Sequence, residues 1–135
     1  MRRYLLDSNS LSDCIFRRRD VDVRVREARS LGDVVGTAIP IVGELLGGIE
    51  FSSTRDANLV IVNRNLNLFR LWPFTLDAAR CYSRIYADLR HAGRRIQVID
   101  MMIAAIAQSL GKCTIVTSDT DFSAIPSLDT ENWAS

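Results

Sequence analysis

Residues 98 to 116, VIDMMIAAIAQSLGKCTIV, constrain the fold more than any other stretch. Ile99, Ile103, Ile106, Ala107 and Leu110 recur at helical spacing and make a broad apolar face, with Gly111 as the natural stop. Directly afterwards, Thr114-Ile115-Val116 is β-branched throughout, the composition of a strand buried on both faces. A helix of this kind feeding a doubly buried strand belongs to a sheet covered by helices, as in parallel α/β folds.

The rest of the chain repeats the alternation. YLLD reads as a short buried strand, Tyr4 to Leu6, followed by Asp7-Ser8-Asn9, all good N-caps, and a helix from about Ser8 to Arg17. A polar helix is expected over Val21 to Ser30, although its start, VDVRV, alternates with period two. DVVGTAI is a second strand, and Pro40 then opens a helix with Ile41, Leu45 and Ile49 on one face and Glu44 beside that stripe. A further helix spans about Thr54 to Phe69, before a short strand near RLWPF. Thr75 caps a long helix whose Leu76, Ala79, Tyr82, Ile85, Tyr86 and Leu89 recur at three and four, ending at Gly93. A short helical turn at Phe122 to Ile125 and a last strand near TENW complete the chain. This predicts an α/β fold with a mainly parallel central sheet, in one domain over residues 1–135.

Absences narrow the chemistry. There is no run of about 18 apolar residues and no signal-peptide pattern, so a soluble cytoplasmic protein with no membrane partner is expected. Cys14, Cys81 and Cys113 are odd in number and scattered, with no C-x-x-C, which excludes a disulfide scaffold and a cysteine zinc site. His91 is the sole histidine and lies in LRHAGRR, where a solvated helix end accounts for it. What remains is carboxylate chemistry with a hard cation. Lys112 is the only lysine among 17 cationic residues. The clusters Arg17-Arg18-Arg19 and Arg94-Arg95 suit phosphate, but a coding bias toward arginine gives the same composition, and both readings stay open.

Four acids sit in apolar surroundings. Asp7 follows the first strand and Asp119 follows TIV, and sites in open α/β sheets form outside the carboxyl ends of strands. Glu44 and Asp100 lie on helices; sequence alone leaves open which edge of the sheet Asp100 meets. Each has a plain structural reading: Asp7 as an N-cap, Asp100 as a first-turn acid favoured by the helix dipole, Glu44 as a solvated position. Asp121, two residues beyond Asp119, is either a further ligand or a cap for the turn at Phe122. If they met, carboxylates about 4 Å apart would repel by roughly 4 kcal/mol per pair at an effective dielectric of 20. A divalent cation is the simplest relief.

The ordered segments YLLDSN, IVGELLGGI, GRRIQVIDMMIAAIAQSLG and IVTSDTDF followed by TENW resemble the PIN domain, in particular the VapC-type toxins of bacterial toxin–antitoxin pairs. The resemblance runs from about Tyr4 to Trp133. It implies a three-layer α/β/α fold and a Mg²⁺- or Mn²⁺-dependent endoribonuclease that cleaves RNA with metal-activated water. Its catalytic acids fall on Asp7, Glu44, Asp100 and Asp119, with Asp7, Asp100, Asp119 and Asp121 as metal ligands. Ser8, Asn9, Thr117 and Ser118 fall on supporting polar positions. A homodimer is implied too, with a small VapB-like antitoxin covering the site in a heterotetramer or larger complex. Val21–Ala28 and Leu45–Val62 are candidate walls of the antitoxin groove, or else core or homodimer contacts. Ser8 where threonine is common, and GRRIQ without a proline, are the departures; neither removes an acid.

Two other readings compete. A phosphoryl-transfer enzyme working through an aspartyl-phosphate also places an acid after its first strand, but Lys112 precedes the relevant strand and DSN lacks a second Asp. A non-catalytic binding module acting through its antitoxin complex does not explain four acids set in apolar segments.

Overall fold

In the computed structural model, which describes residues 1–135, each expected strand and helix forms. The order is β1 (Arg3–Leu6), α1 (Ser8–Ile15), α2 (Val21–Ser30), β2 (Val34–Ala38), α3 (Ile39–Glu50) and α4 (Arg55–Leu66). Then follow β3 (Arg70–Trp72), α5 (Leu76–His91), α6 (Val98–Leu110), β4 (Cys113–Val116), a 3₁₀ turn (Thr120–Ala124) and β5 (Asp129–Glu131). The strands form one sheet in the order β3-β2-β1-β4-β5, and every neighbouring pair is parallel. The sheet is therefore wholly, not mainly, parallel.

Burial explains why. Successive strand residues point to opposite faces, yet Tyr4, Leu5 and Leu6 are all buried, as are Ile115 and Val116. Both faces of the central strands are thus covered, with α1 packed on α2 and α5 packed on α6. The buried apolar residues form a connected core that reaches from Tyr4 to Trp133.

Two helix ends are corrected in detail. The first helix stops at Ile15 rather than Arg17, because Arg17, Arg19 and Asp20 take left-handed φ values of 55°, 55° and 59° and turn the chain sharply. The fourth helix stops at Leu66 rather than Phe69. VDVRV is helical, as expected for Val21–Ser30: Val21, Val25 and Ala28 are buried at helical spacing and belong to the core, while Val23 stays exposed on the outer face.

The topology creates a switch point. From β1 the chain moves outward through β2 to β3, then crosses to β4 on the other side of β1 and continues to β5. The carboxyl ends of β1 and β4 flank a crevice where neighbouring connections depart in opposite directions, the usual ligand position in such sheets.

One glycine fixes the sheet's flank. Gly36 pairs with Arg70, and a Cβ there would collide with the Arg70 carbonyl oxygen and lie 2.8 Å from Trp72 Cζ3. Backbone cannot yield as a side-chain tip can, so Gly36→Ala should destabilise the fold by about 1–3 kcal/mol. Urea unfolding measures this; an unchanged midpoint would show that β3 is free to shift away from β2.

Candidate metal centre

The backbone of Asp7 extends the β1–β4 ladder by one step, its N–H donating to the Val116 carbonyl at 3.1 Å. Its buried carboxylate caps α1, with Oδ1 accepting from the Ser10 N–H at 2.9 Å. Only one oxygen is used in the cap, so the cap and a ligand role are compatible. Two buried hydroxyls fasten this edge: Ser10 Oγ donates to the Val116 carbonyl at 3.0 Å and Thr37 Oγ1 to the Leu6 carbonyl at 2.9 Å. Sequence reading missed both. Thr37 was detectable as a hydroxyl in an otherwise apolar strand; Ser10, among the many polar residues of DSNSLSD, gave no distinct signal.

Asp119 begins where β4 releases the chain. Its N–H donates to Thr117 Oγ1 at 2.9 Å, and its Oδ1 accepts from the Asp121 N–H at 2.9 Å, capping the 3₁₀ turn. Asp119, not Asp121, is therefore the cap. The Asp121 carboxylate is left free and joins those of Asp119 and Asp100, with one oxygen from each lying within 4.8 Å of the others.

Asp100, the third residue of α6, is half-buried and meets the carboxyl edge of the sheet. Its carboxyl is pushed up to about 6, first by burial and then by the charges of Asp119, Glu44, Asp121 and Asp7. All the acids named from the sequence thus act on one carboxyl. Glu44, exposed on α3, is steadied by Ser8, whose Oγ donates to Oε1 at 2.5 Å. Thr117 is buried beneath the loop and positions Asp119. Asn9 and Ser118 are exposed and lie to either side: Asn9 in a groove with Ser8 and Glu44, Ser118 in a polar depression with Asp119 and Asn132.

No arginine or lysine forms an ion pair with Asp7, Glu44, Asp100, Asp119 or Asp121; the ion pairs of the chain use Asp13, Asp22, Glu27, Glu50, Asp56 and Asp77. Oxygen-only donors, mutual repulsion and the absence of a protein cation together fit a hard divalent ion such as Mg²⁺. Cys14 and Cys113 do not suit thiolate chemistry, since burial holds them up at about 11 and keeps them protonated at neutral pH.

Comparison with known proteins gives concordant results. The family model described as PIN domain matches residues 4–128. The tRNA(fMet)-specific endonuclease VapC of Shigella flexneri is 28% identical over 99% of this chain and 100% of its own length. Ribonuclease VapC5 of Mycobacterium tuberculosis is 32% identical over 69% of this chain and 70% of its own. Among solved structures, DNA-bound VapBC from Salmonella typhimurium superimposes with a TM-score of 0.88 at 25% identity, covering 99% of this chain and 100% of that one.

Proposed function

The chain belongs to the PIN-domain family, and on that premise we propose that it is a metal-dependent endoribonuclease, the toxin of a VapBC-type pair. The carrying observation is the cluster at the switch point: carboxylates from α3, α6 and the ends of β1 and β4, without a protein cation, whose charges add to burial in raising the Asp100 carboxyl to about 6. In this reading residues 1–135 form one nuclease domain. The names of the relatives, endonuclease VapC and ribonuclease VapC5, support the same reaction class.

We assign Asp7, Asp100, Asp119 and Asp121 to holding Mg²⁺ or Mn²⁺. Such an ion supplies water activation and neutralises charge that builds on the phosphate. Glu44, held through Oε1 by Ser8, keeps its other oxygen to orient the attacking water and receive its proton. Thr117 keeps Asp119 aimed into the site through the backbone N–H. Ser10 and Thr37 hold the strand ends from which Asp7 departs.

A small antitoxin is the proposed partner, as the VapBC complex from Salmonella typhimurium suggests by analogy. The end of α3 and the exposed face of α4 offer it apolar anchors: Phe51 is 96% exposed and Val60 50%. A homodimer and a cytoplasmic location complete the proposal; no helix is long and apolar enough to cross a membrane.

The test compares RNA cleavage by the wild type with Mg²⁺, with EDTA, and by Asp7→Asn with Mg²⁺, adding the product of the adjacent gene in a further arm. Cleavage is expected only from the wild type with Mg²⁺, and should stop when a cognate antitoxin is added. Equal cleavage in all arms would sink the metal mechanism.

A further inference from the structure

A cavity of about 410 Å³ opens between the last turns of α5 and the start of α6. Its floor is apolar, formed by buried Leu89 and Met101, and its rim carries Arg90, Arg94, Arg95 and Tyr86. No acidic residue lines it. Neither Arg90, Arg94 nor Arg95 forms an ion pair, although the chain has nearly as many acids as bases.

The rim is braced. Arg90 Nη1 donates to the Tyr86 hydroxyl at 2.7 Å, and its guanidinium sits 5.5 Å from that ring's centroid. The loop is anchored where the Arg94 N–H meets the Leu89 carbonyl at 2.9 Å, next to Gly93 at φ 68°. Met101 follows Asp100 directly, so the cavity lies beside the end of α6 that presents a carboxylate to the metal centre.

In the other arginine run, Arg17 and Arg19 form no ion pair, but the middle residue is engaged and no cavity gathers the three. Arg18 is 3.3 Å from Asp13 and also donates to Ser12 Oγ at 2.6 Å, so its fork is engaged within the protein. A coding bias explains how many arginines a chain has, not why three gather unpaired around one cavity.

We infer that this cavity is a substrate subsite that holds single-stranded RNA next to the cleaved bond, with backbone phosphate on Arg90, Arg94 and Arg95 and a base over the apolar floor. Guanidinium forks match phosphate oxygens, an apolar floor accepts any base, and the volume falls in the range of small-ligand pockets. The inference rests on the ribonuclease reading and names where the substrate lies relative to the acids.

The test measures binding of a fluorescent single-stranded RNA oligonucleotide in EDTA, across a salt series, by the wild type, by Arg94→Gln/Arg95→Gln and by Arg18→Gln. Each lost phosphate contact should reduce the slope of log affinity against log salt by about 0.7, so the double variant should lose about 1.4. Its affinity should fall about tenfold or more, while Arg18→Gln matches the wild type. Unchanged melting of the variants, whose altered side chains are exposed, would confirm that the fold is intact. With Mg²⁺ present, the loss should appear mainly in KM. An unchanged slope overturns the subsite, as does a changed oligomeric state with unaltered RNA affinity, which would make this face a contact between copies. Competition by polyglutamate as strong as by RNA also overturns it, in favour of an acidic protein segment. A wild type that binds RNA through these arginines yet never cleaves it would sink the nuclease reading and leave the subsite standing.

Discussion

Asp7→Asn and Asp100→Asn should each lower Mg²⁺-dependent RNA cleavage about a hundredfold or more, and the double variant should lose little beyond the worse single one. Residues that hold one centre fail together, because the first loss already removes what the second would remove. The geometry argues for such a unit. Asp119 leaves the end of β4 to meet Asp100 of α6 and Asp121, and Asp7, which extends the β1–β4 ladder, adds its charge to those acting on Asp100. Asp7→Asn keeps an amide oxygen that still accepts the Ser10 N–H, so the α1 cap survives and activity is separated from folding. Circular dichroism and melting of each variant, beside single-turnover cleavage of structured RNA, give the two readouts. Losses that are modest and multiply independently would mean that the acids serve separate sites.

The parts that were legible in the sequence are those where local pattern and tertiary demand agree. TIV is β-branched with Ile115 and Val116 fully buried, and Thr75 caps α5 through its own hydroxyl, as its position before the apolar stripe implies. Asp7, Glu44, Asp100 and Asp119 were visible as acids set in apolar runs. Their convergence was not, since it depends on strand order: β4 lies beside β1 only because the chain crosses back at the switch point, and no local pattern encodes that crossing. The end of α1 was missed because the polar run Arg17-Arg18-Arg19-Asp20 gives no sign that left-handed corners occur without glycine. The helix over Val21 to Ser30 formed as expected: its opening period of two blurred the local pattern, and burial of Val21, Val25 and Ala28 at helical spacing fixes it. The role of Asp121 turned on one hydrogen bond, the one that makes Asp119 the cap.

In metal-free protein, Asp100→Asn should raise thermal stability at neutral pH, and the gain should shrink as the pH falls. Asp100 makes no hydrogen bond within the protein that the amide would lose, whereas its charge faces four other carboxylates. Burial and those charges raise its carboxyl from 3.8 to about 6 in the fold. Between those values the folded chain binds more protons than the unfolded one, so stability from this group falls as pH rises. The destabilisation is negligible below about pH 4, grows up to about 6 and is complete above it. A shift of about two units is worth at most about 3 kcal/mol, and solvent screening of a half-buried group reduces this to about 1 kcal/mol. For a chain of 135 residues that corresponds to about 3–5 °C in melting temperature at pH 7.5 in EDTA. Mg²⁺ should then reverse the ranking, since the intact cluster gains binding energy that the variant largely lacks. Melting curves between pH 4 and pH 7.5, with EDTA and with Mg²⁺, provide the measurement. A variant that melts well below wild type in EDTA at every pH would show that Asp100 stabilises the start of α6 and is not a strained member of the cluster.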